Sequence, residues 1–569
     1  MPKLCLLSRV TLLALSLLSA CAARGVAVSD PATAGNGYGA FLDARLADSL
    51  FALPEAARFY RQASAADPSD TVLRRQAFLF SFMAGDPDAA ALAANVSDDP
   101  VAMLVLISEA VRRGDWPTAI ARIHDLPQGD PTQVLSPLLL AWAEQGAGET
   151  DEALGTLQPF LSGPGVQGIF VLHAALIADL AGRTALANKY YAAAEKGFNG
   201  TNLRLATILA SWEARQGDPE AAQATLAALD AENGEVAIVV PALAKTLSER
   251  PVATASDGMA EAFLAIAASL RQQDSPDFSI VMLRLALALR PDLTAARLLL
   301  ADALDAQGQP AAALSVLEPV PASDPLTAFV DLRRAMLLDA VGKTTESLAL
   351  LGRLATRYPD RPEPLEVKGD VLRAHERWNE AVEAYSGAIS RLGQRRPSDW
   401  ILFYDRGIAY DQIHNWPSAE ADFREALALA PNQPYVLNYL GYSWAVQGRH
   451  LAEARQMIAK AAELRPNDGA ILDSLGYVML RQGDVPGAVQ WLLRAVTLEP
   501  DDPTINGHLG DAYWAAGNKL GAWYQWQHAL TMNPSASEAA VLESKLRSDY
   551  GTLGSGGAPA LPAQSTGNP

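Results

Sequence analysis

Four consecutive segments of this chain, opening at Trp400, Pro434, Gly469 and Pro503, repeat one pattern at intervals of about 34 residues. A glycine holds a fixed place in each opening run: Gly407, Gly441, Gly476 and Gly510. A large side chain follows at Tyr410, Trp444, Met479 and Tyr513, and a turn glycine at Gly448, Gly483 and Gly517, with Asn415 read as its counterpart in the first segment. The next run carries Ala419, Ala454, Ala488 and Ala522. Bulky residues then stand at Phe423, Ile458, Leu492 and Trp526, and alanine returns at Ala426, Ala461, Ala495 and Ala529. Each segment closes on proline: Pro431, Pro466, Pro500 and Pro534. Apolar residues spaced three and four apart predict two helices per segment. Small residues are expected where the two helices cross closely, with the bulky ones filling the gap beside them. Proline stops the second helix, since it lacks an N–H and clashes with the preceding turn. One extra residue around Arg449-His450-Leu451 is expected to sit in its turn.

The pattern runs upstream with weaker matches, through units opening near Pro362, Ala328, Thr294 and Ala260, turn glycines Gly217, Gly182, Gly148 and Gly114, and a first unit marked by Ala56, Tyr60, Ala63 and Pro68. The register breaks between Asp230 and Gly258. This set of positions resembles the tetratricopeptide repeat (TPR). The resemblance implies an all-α helix-turn-helix solenoid, a superhelix of about 12–14 repeats in two arms. On this reading 40–230 is a degenerate N-terminal arm, 231–258 an irregular hinge and 259–534 the C-terminal arm. Residues 535–550 would form a capping helix, and the Gly/Pro/Ser-rich 551–569 a disordered tail.

The N-terminus reads as an address. Lys3 and Arg9 precede an apolar run, Val10 to Leu18, that is too short for a bilayer, which takes about 20 apolar residues. Leu18-Ser19-Ala20-Cys21 resembles the bacterial lipobox. That resemblance implies that 1–20 is a lipoprotein signal peptide and that Cys21 is lipidated. Ala22, not Asp, follows the cysteine, which by the same resemblance implies the outer membrane. Residues 21–39 then form a tether, and Gly35-Asn36-Gly37-Tyr38-Gly39 is read as part of it rather than as a phosphate loop, because no strand precedes it.

Little in the sequence points to catalysis. The formal net charge of −19 repels phosphate backbones and argues against nucleic acid. Cys5 and Cys21 are the two cysteines, so no disulfide framework is possible beyond them. The histidines His124, His173, His375, His414, His450, His508 and His528 include no pair three or four residues apart, so no helical metal pair exists. They are read as surface residues. Neither a cofactor motif nor a nucleophile elbow stands out. Trp116, Trp378 and Trp416, each just after a turn, are read as packing residues.

What remains is binding. In TPR proteins the first helix of each repeat faces the concave side. By subtraction of the core positions, a groove is expected from Tyr404, Asn438, Tyr442, Asp473, Tyr477, Asp511 and Trp514. Aromatics in a row bury large area at low entropy cost, and asparagine can bond both a peptide N–H and a C=O. The alternative, that these rings merely pack between repeats, stays open at this point. No lysine or arginine set recurs in the groove, which departs from the TPR domains that clamp C-terminal carboxylates. The lipobox and repeats together resemble proteobacterial TPR lipoproteins. That resemblance implies a lipid-anchored periplasmic scaffold or adaptor whose partners are other proteins or peptides. It would present substrates to a carboxy-terminal-processing protease or serve as a subunit of an envelope assembly or export machine.

Overall fold

The computed structural model of the chain describes residues 37–553 apart from 128, 130, 131, 162–166, 198–201, 233 and 272–275. Residues 1–36, on which the expected signal peptide and the expected lipidation of Cys21 fall, and residues 554–569 lie outside the described residues. Within them are 30 α-helices, four short 3-10 segments and no strand. The opening helices of the four clearest repeats are Trp400–Gln412, Pro434–Val446, Gly469–Arg481 and Pro503–Ala515, and their second helices are Trp416–Leu429, Leu451–Leu464, Val485–Leu498 and Lys519–Leu530. Asp468 and Asp502 start two of the opening helices by accepting first-turn N–H groups, and Pro434 and Pro503 stand where a helix has no use for an N–H. Second helices stop one or two residues before Pro431, Pro466 and Pro500.

Helix crossing explains the fixed glycines. A Cβ built on Gly441 would lie 2.8 Å from Cγ1 of Ile458 and 3.1 Å from the carbonyl oxygen of Ala454. One built on Gly476 would lie 2.6 Å from Cγ of Leu492. The bulky residue of each second helix therefore occupies the space left by the glycine of the first, and Phe423, Ile458 and Leu492 are fully buried there. The turn following is left-handed at Gly448, Gly483 and Gly517. In the first of the four repeats the left-handed turn residue is His414, with φ of 62°, one place before the expected Asn415, which instead caps the second helix. The extra residue of the second repeat sits in its turn, where His450 takes φ of 49° and lies against Trp444.

The chain divides into two compact units, the first ending at His375 and the second starting at Glu376. The break read from sequence at 231–258 is irregular in backbone: it holds a 3-10 segment, Gly234–Val239, and a short helix, Val240–Leu243. It is nevertheless tied into the first unit rather than acting as a boundary between units. Ala237, Ile238 and Val239 are buried, and two of its carbonyls are taken by side chains from neighbouring helices. Arg204 and Arg290 both donate to Pro251 O, at 3.2 and 2.7 Å, and Ser211 donates to Glu249 O at 2.6 Å.

In the first unit, helices far apart in sequence pack together. Ala255–Arg271 lies on Thr132–Ala147 and Gln167–Leu180, and Pro276–Leu289 lies on Thr71–Ala84 and Pro100–Arg112. Arg284 reaches across this contact and donates to Met83 O at 3.0 Å and Ala84 O at 3.1 Å, satisfying the last carbonyls of the Thr71–Ala84 helix. His173 is buried here, contrary to the surface reading, and accepts from Trp142 Nε1 at 3.0 Å. Burial keeps its imidazole neutral and pushes its pKa down to about 3. Gly37–Gly39, read as tether, instead opens the helix Gly37–Ser49. A Cβ on Gly37 would stand 2.8 Å from that of Ala66, so the glycine permits a close helix contact, not flexibility.

Candidate protein-binding surface

Opening helices of the second unit lie side by side: Pro434–Val446 packs beside Gly469–Arg481, which packs beside Pro503–Ala515. The predicted groove residues separate into three groups on this frame. Tyr404 is only 9 % exposed and is wedged between Phe423 and Tyr439, with centroids 6.0 Å from each, so it is a packing residue. Its column, three residues before each fixed glycine, faces the neighbouring repeat. Asp473 in the same column is buried as well. Asn438, also in that column, is half-buried, and its Oδ1 is buried without a hydrogen-bond partner.

Tyr442 and Tyr477 form the second group. Both are half-buried, their ring centroids are 5.3 Å apart, and His508 of the next helix stands 4.6 Å from Tyr477 and 6.4 Å from Tyr442. Three successive opening helices thus contribute one ring each to a continuous aromatic cluster. Nδ1 of His508 lies 2.9 Å from both carboxylate oxygens of Asp473. Burial works against a charge on this imidazole, but the Asp473 carboxylate, with Asp511 further off, outweighs it and holds the pKa above its ordinary value. Arg481 closes one side by donating to the Tyr477 hydroxyl at 3.0 Å and to Val446 O at 3.2 Å.

The third group stands at the end of the unit. Asp511 accepts from Lys545 Nζ at 2.7 and 2.8 Å and from Trp526 Nε1 at 3.0 Å. Trp514 lies 5.5 Å from Trp526, and the Lys519 ammonium sits 3.0 Å from its ring centroid. Lys545 belongs to the final helix, Ala536–Leu553, which packs on Lys519–Leu530. Asp511 and Trp514 are therefore engaged by the chain itself at the end of the unit, whereas Tyr442 and Tyr477 stand half-buried in the cluster with His508. Sequence reasoning missed His508, taking it for a surface histidine. The signal was there: His508, Ser474 and Tyr439 share one column, two residues before the fixed glycine.

The titration of His508 has a defined sign. Its folded-state pKa is raised, so the stability its pairing with Asp473 confers is complete below the unfolded value near 6.5 and is lost as pH rises through the raised value. Melts of wild type and His508→Gln compared from pH 5 to 9 should show the largest gap at the acid end and convergence at the alkaline end. A gap that widens with pH would contradict the assignment.

Family profiles for the tetratricopeptide repeat match residues 270–336, 332–399 and 404–469, and a TPR repeat profile matches 476–517. These segments are tetratricopeptide repeats. The matched segments cover the repeats opening at Trp400 and Pro434, most of the one opening at Gly469 and the opening helix of the last, Pro503–Ala515, and reach back into the first unit. A TPR repeat-containing protein of Pseudomonas aeruginosa is 30% identical over 166 residues, which is 29% of this chain and 28% of that protein. Human tetratricopeptide repeat protein 13 is 33% identical over 126 residues, 22% of this chain and 14% of its own length. The chain thus spans less than a third of either relative. Among solved structures, the APC/C hetero-tetramer Cut9–Hcn1 is 14% identical, covering 90% of this chain and 96% of that one at a TM-score of 0.38.

Proposed function

We propose that the opening helices between Pro434 and Ala515 capture a segment of another protein, and that the chain is an adaptor held by lipid at Cys21 to the periplasmic side of the outer membrane. The observation that carries the binding claim is the Tyr442–Tyr477–His508 cluster, one ring from each of three successive opening helices. Half-buried rings already fixed by neighbours give a partner large apolar contact at little ordering cost. TPR repeats generally bind proteins or peptides, which supports the same reading. The anchor rests on the lipobox ending at Cys21 and the apolar run before it. Its resemblance to TPR lipoproteins supports a partner in the envelope: a processing protease, or a substrate delivered to one.

A single experiment addresses anchor and surface together. Cells are fed a fatty-acid analogue while expressing chains with a photoreactive residue at Tyr442. Wild type is expected to carry the label and fractionate with the outer membrane, and Cys21→Ser to carry none and leave it. Crosslinks from position 442 should be dominated by one envelope protein. A labelled Cys21→Ser chain would refute the anchor, and position 442 yielding no more product than the exposed turn position Arg377 would refute the surface.

A further inference from the structure

The first described helix, Gly37–Ser49, is apolar on two faces. Its inner face packs on Leu53–Ala66: Ala44 and Ala47 are buried, and Phe41 meets Tyr60 with ring centroids 6.4 Å apart. Gln309 Nε2 donates to Leu50 O at 3.2 Å and holds the end of the helix in place. The other face carries Tyr38, Leu42, Leu46 and Leu50, each four residues from the last and so aligned along one side. These four side chains are 61 to 78 % exposed. The end of a repeat solenoid ordinarily turns a polar face outward. The final helix, Ala536–Leu553, does so with Ser537, Glu543, Ser544 and Arg547, and Val541 is the one large apolar residue exposed among its described side chains. A stripe of leucines where solvent is expected marks a binding surface.

Three observations say what covers it. Residues 22–36 separate the helix from Cys21, and the chain from Cys21 to Gly37 reaches at most about 55 Å even when fully extended. With Cys21 acylated, the stripe is held beside a lipid surface at high effective concentration, so a short apolar face suffices for contact. The helix has 13 residues, and no described helix is long and apolar enough to cross a membrane, so the contact runs along the surface. The charges near the stripe are Arg45, already paired with Asp48 at 3.2 Å, and the exposed Asp43. That set gives no attraction to anionic headgroups, and the stripe fits zwitterionic lipid entered by apolar side chains.

We propose that Tyr38, Leu42, Leu46 and Leu50 form a second membrane contact, which lies in the headgroup region of a zwitterionic phospholipid surface and orients the first unit on it. The inference rests on the acylated Cys21 proposed above. Leu42 and Leu46 enter between the acyl chains, and Tyr38 keeps its hydroxyl among the headgroups.

The test uses the full chain with Cys5→Ser in phosphatidylcholine vesicles, in two forms that differ in the anchor. One is acylated by cells; the other is unacylated and coupled through Cys21 to a maleimide-headgroup lipid. Both carry a fluorescent amino acid at position 46, read by a nitroxide-bearing lipid. Quenching in each form is expected to be at least about threefold stronger than in the same chain carrying Leu42→Ser and Leu50→Ser, as immersion in the headgroup boundary requires. The helical melt of that variant should match the parent, since the replaced side chains are exposed. Should cells leave Cys21 bare, the anchor fails, while the coupled form still decides the stripe. Equal quenching with and without the serines, quenching that appears only when phosphatidylglycerol is added, a lowered melt showing that residues 22–36 cover the stripe, or pairing of two chains through position 46 would each overturn the proposal.

Discussion

Arg284→Met is expected to destabilise the first unit by about 2–4 kcal/mol, and to do so through a helix about 200 residues away in sequence. Its guanidinium is largely buried, with its pKa pushed down to about 10 by that burial and by Arg297. It donates to two carbonyls at the end of Thr71–Ala84, which have no intrahelical partner. Methionine retains much of the apolar stem but leaves both carbonyls dry, and each orphaned acceptor costs about 1–3 kcal/mol. Relief from burying an unpaired charge offsets part of this. Gly85 adds a check on the same contact: it is left-handed, at φ of 80°, and a Cβ there would lie 2.5 Å from Nη1 of Arg284. Gly85→Ala should therefore weaken the same contact by a separate route. Hydrogen exchange read at residues 78–86 would locate the effect, and unchanged protection there in Arg284→Met would contradict it.

Gly441→Leu should cost the second unit about 2–3 kcal/mol by overpacking. At this position the obstacle is backbone as well as side chain, since the Ala454 carbonyl oxygen would stand 3.1 Å from the new Cβ and cannot rotate away. Ile458 is fully buried and has no empty space to move into. Urea unfolding should show a lower midpoint with little change in slope. A midpoint like that of wild type would mean that the two helices do not cross at Gly441.

Gly441, with Gly407, Gly476 and Gly510, shows why the repeat was legible. A close crossing leaves room for one small residue on one helix and a bulky one on the other, and these recur in register along the chain. The same regularity placed the opening helices at Trp400, Pro434, Gly469 and Pro503. Reading by residue type was less dependable than reading by register. Asn415 is a plausible turn residue by type, since asparagine tolerates a left-handed backbone, whereas the register of Gly448, Gly483 and Gly517 falls on His414. Tyr404 and Asp473 were assigned to the groove because the pattern within one repeat leaves their column free. Packing between repeats fills it: Tyr404 meets Tyr439 of the next helix, and Asp473 meets His508. Contacts such as Arg284 with Met83 were beyond reach, because they depend on small rotations that accumulate over many repeats and leave no periodic trace in the sequence.

The central claim is that the Tyr442–Tyr477 surface holds a partner, and affinity for the crosslinked partner tests it most directly. Measured with chains that remain helical and melt normally, Tyr442→Ala and Tyr477→Ala should each weaken binding by more than about tenfold, as loss of a central aromatic anchor does. Arg377→Ala, which removes an exposed ion pair with Glu380, should leave affinity within about twofold. Wild-type affinity in both tyrosine variants, with the fold intact, would show that these rings only pack between repeats and that the partner binds elsewhere.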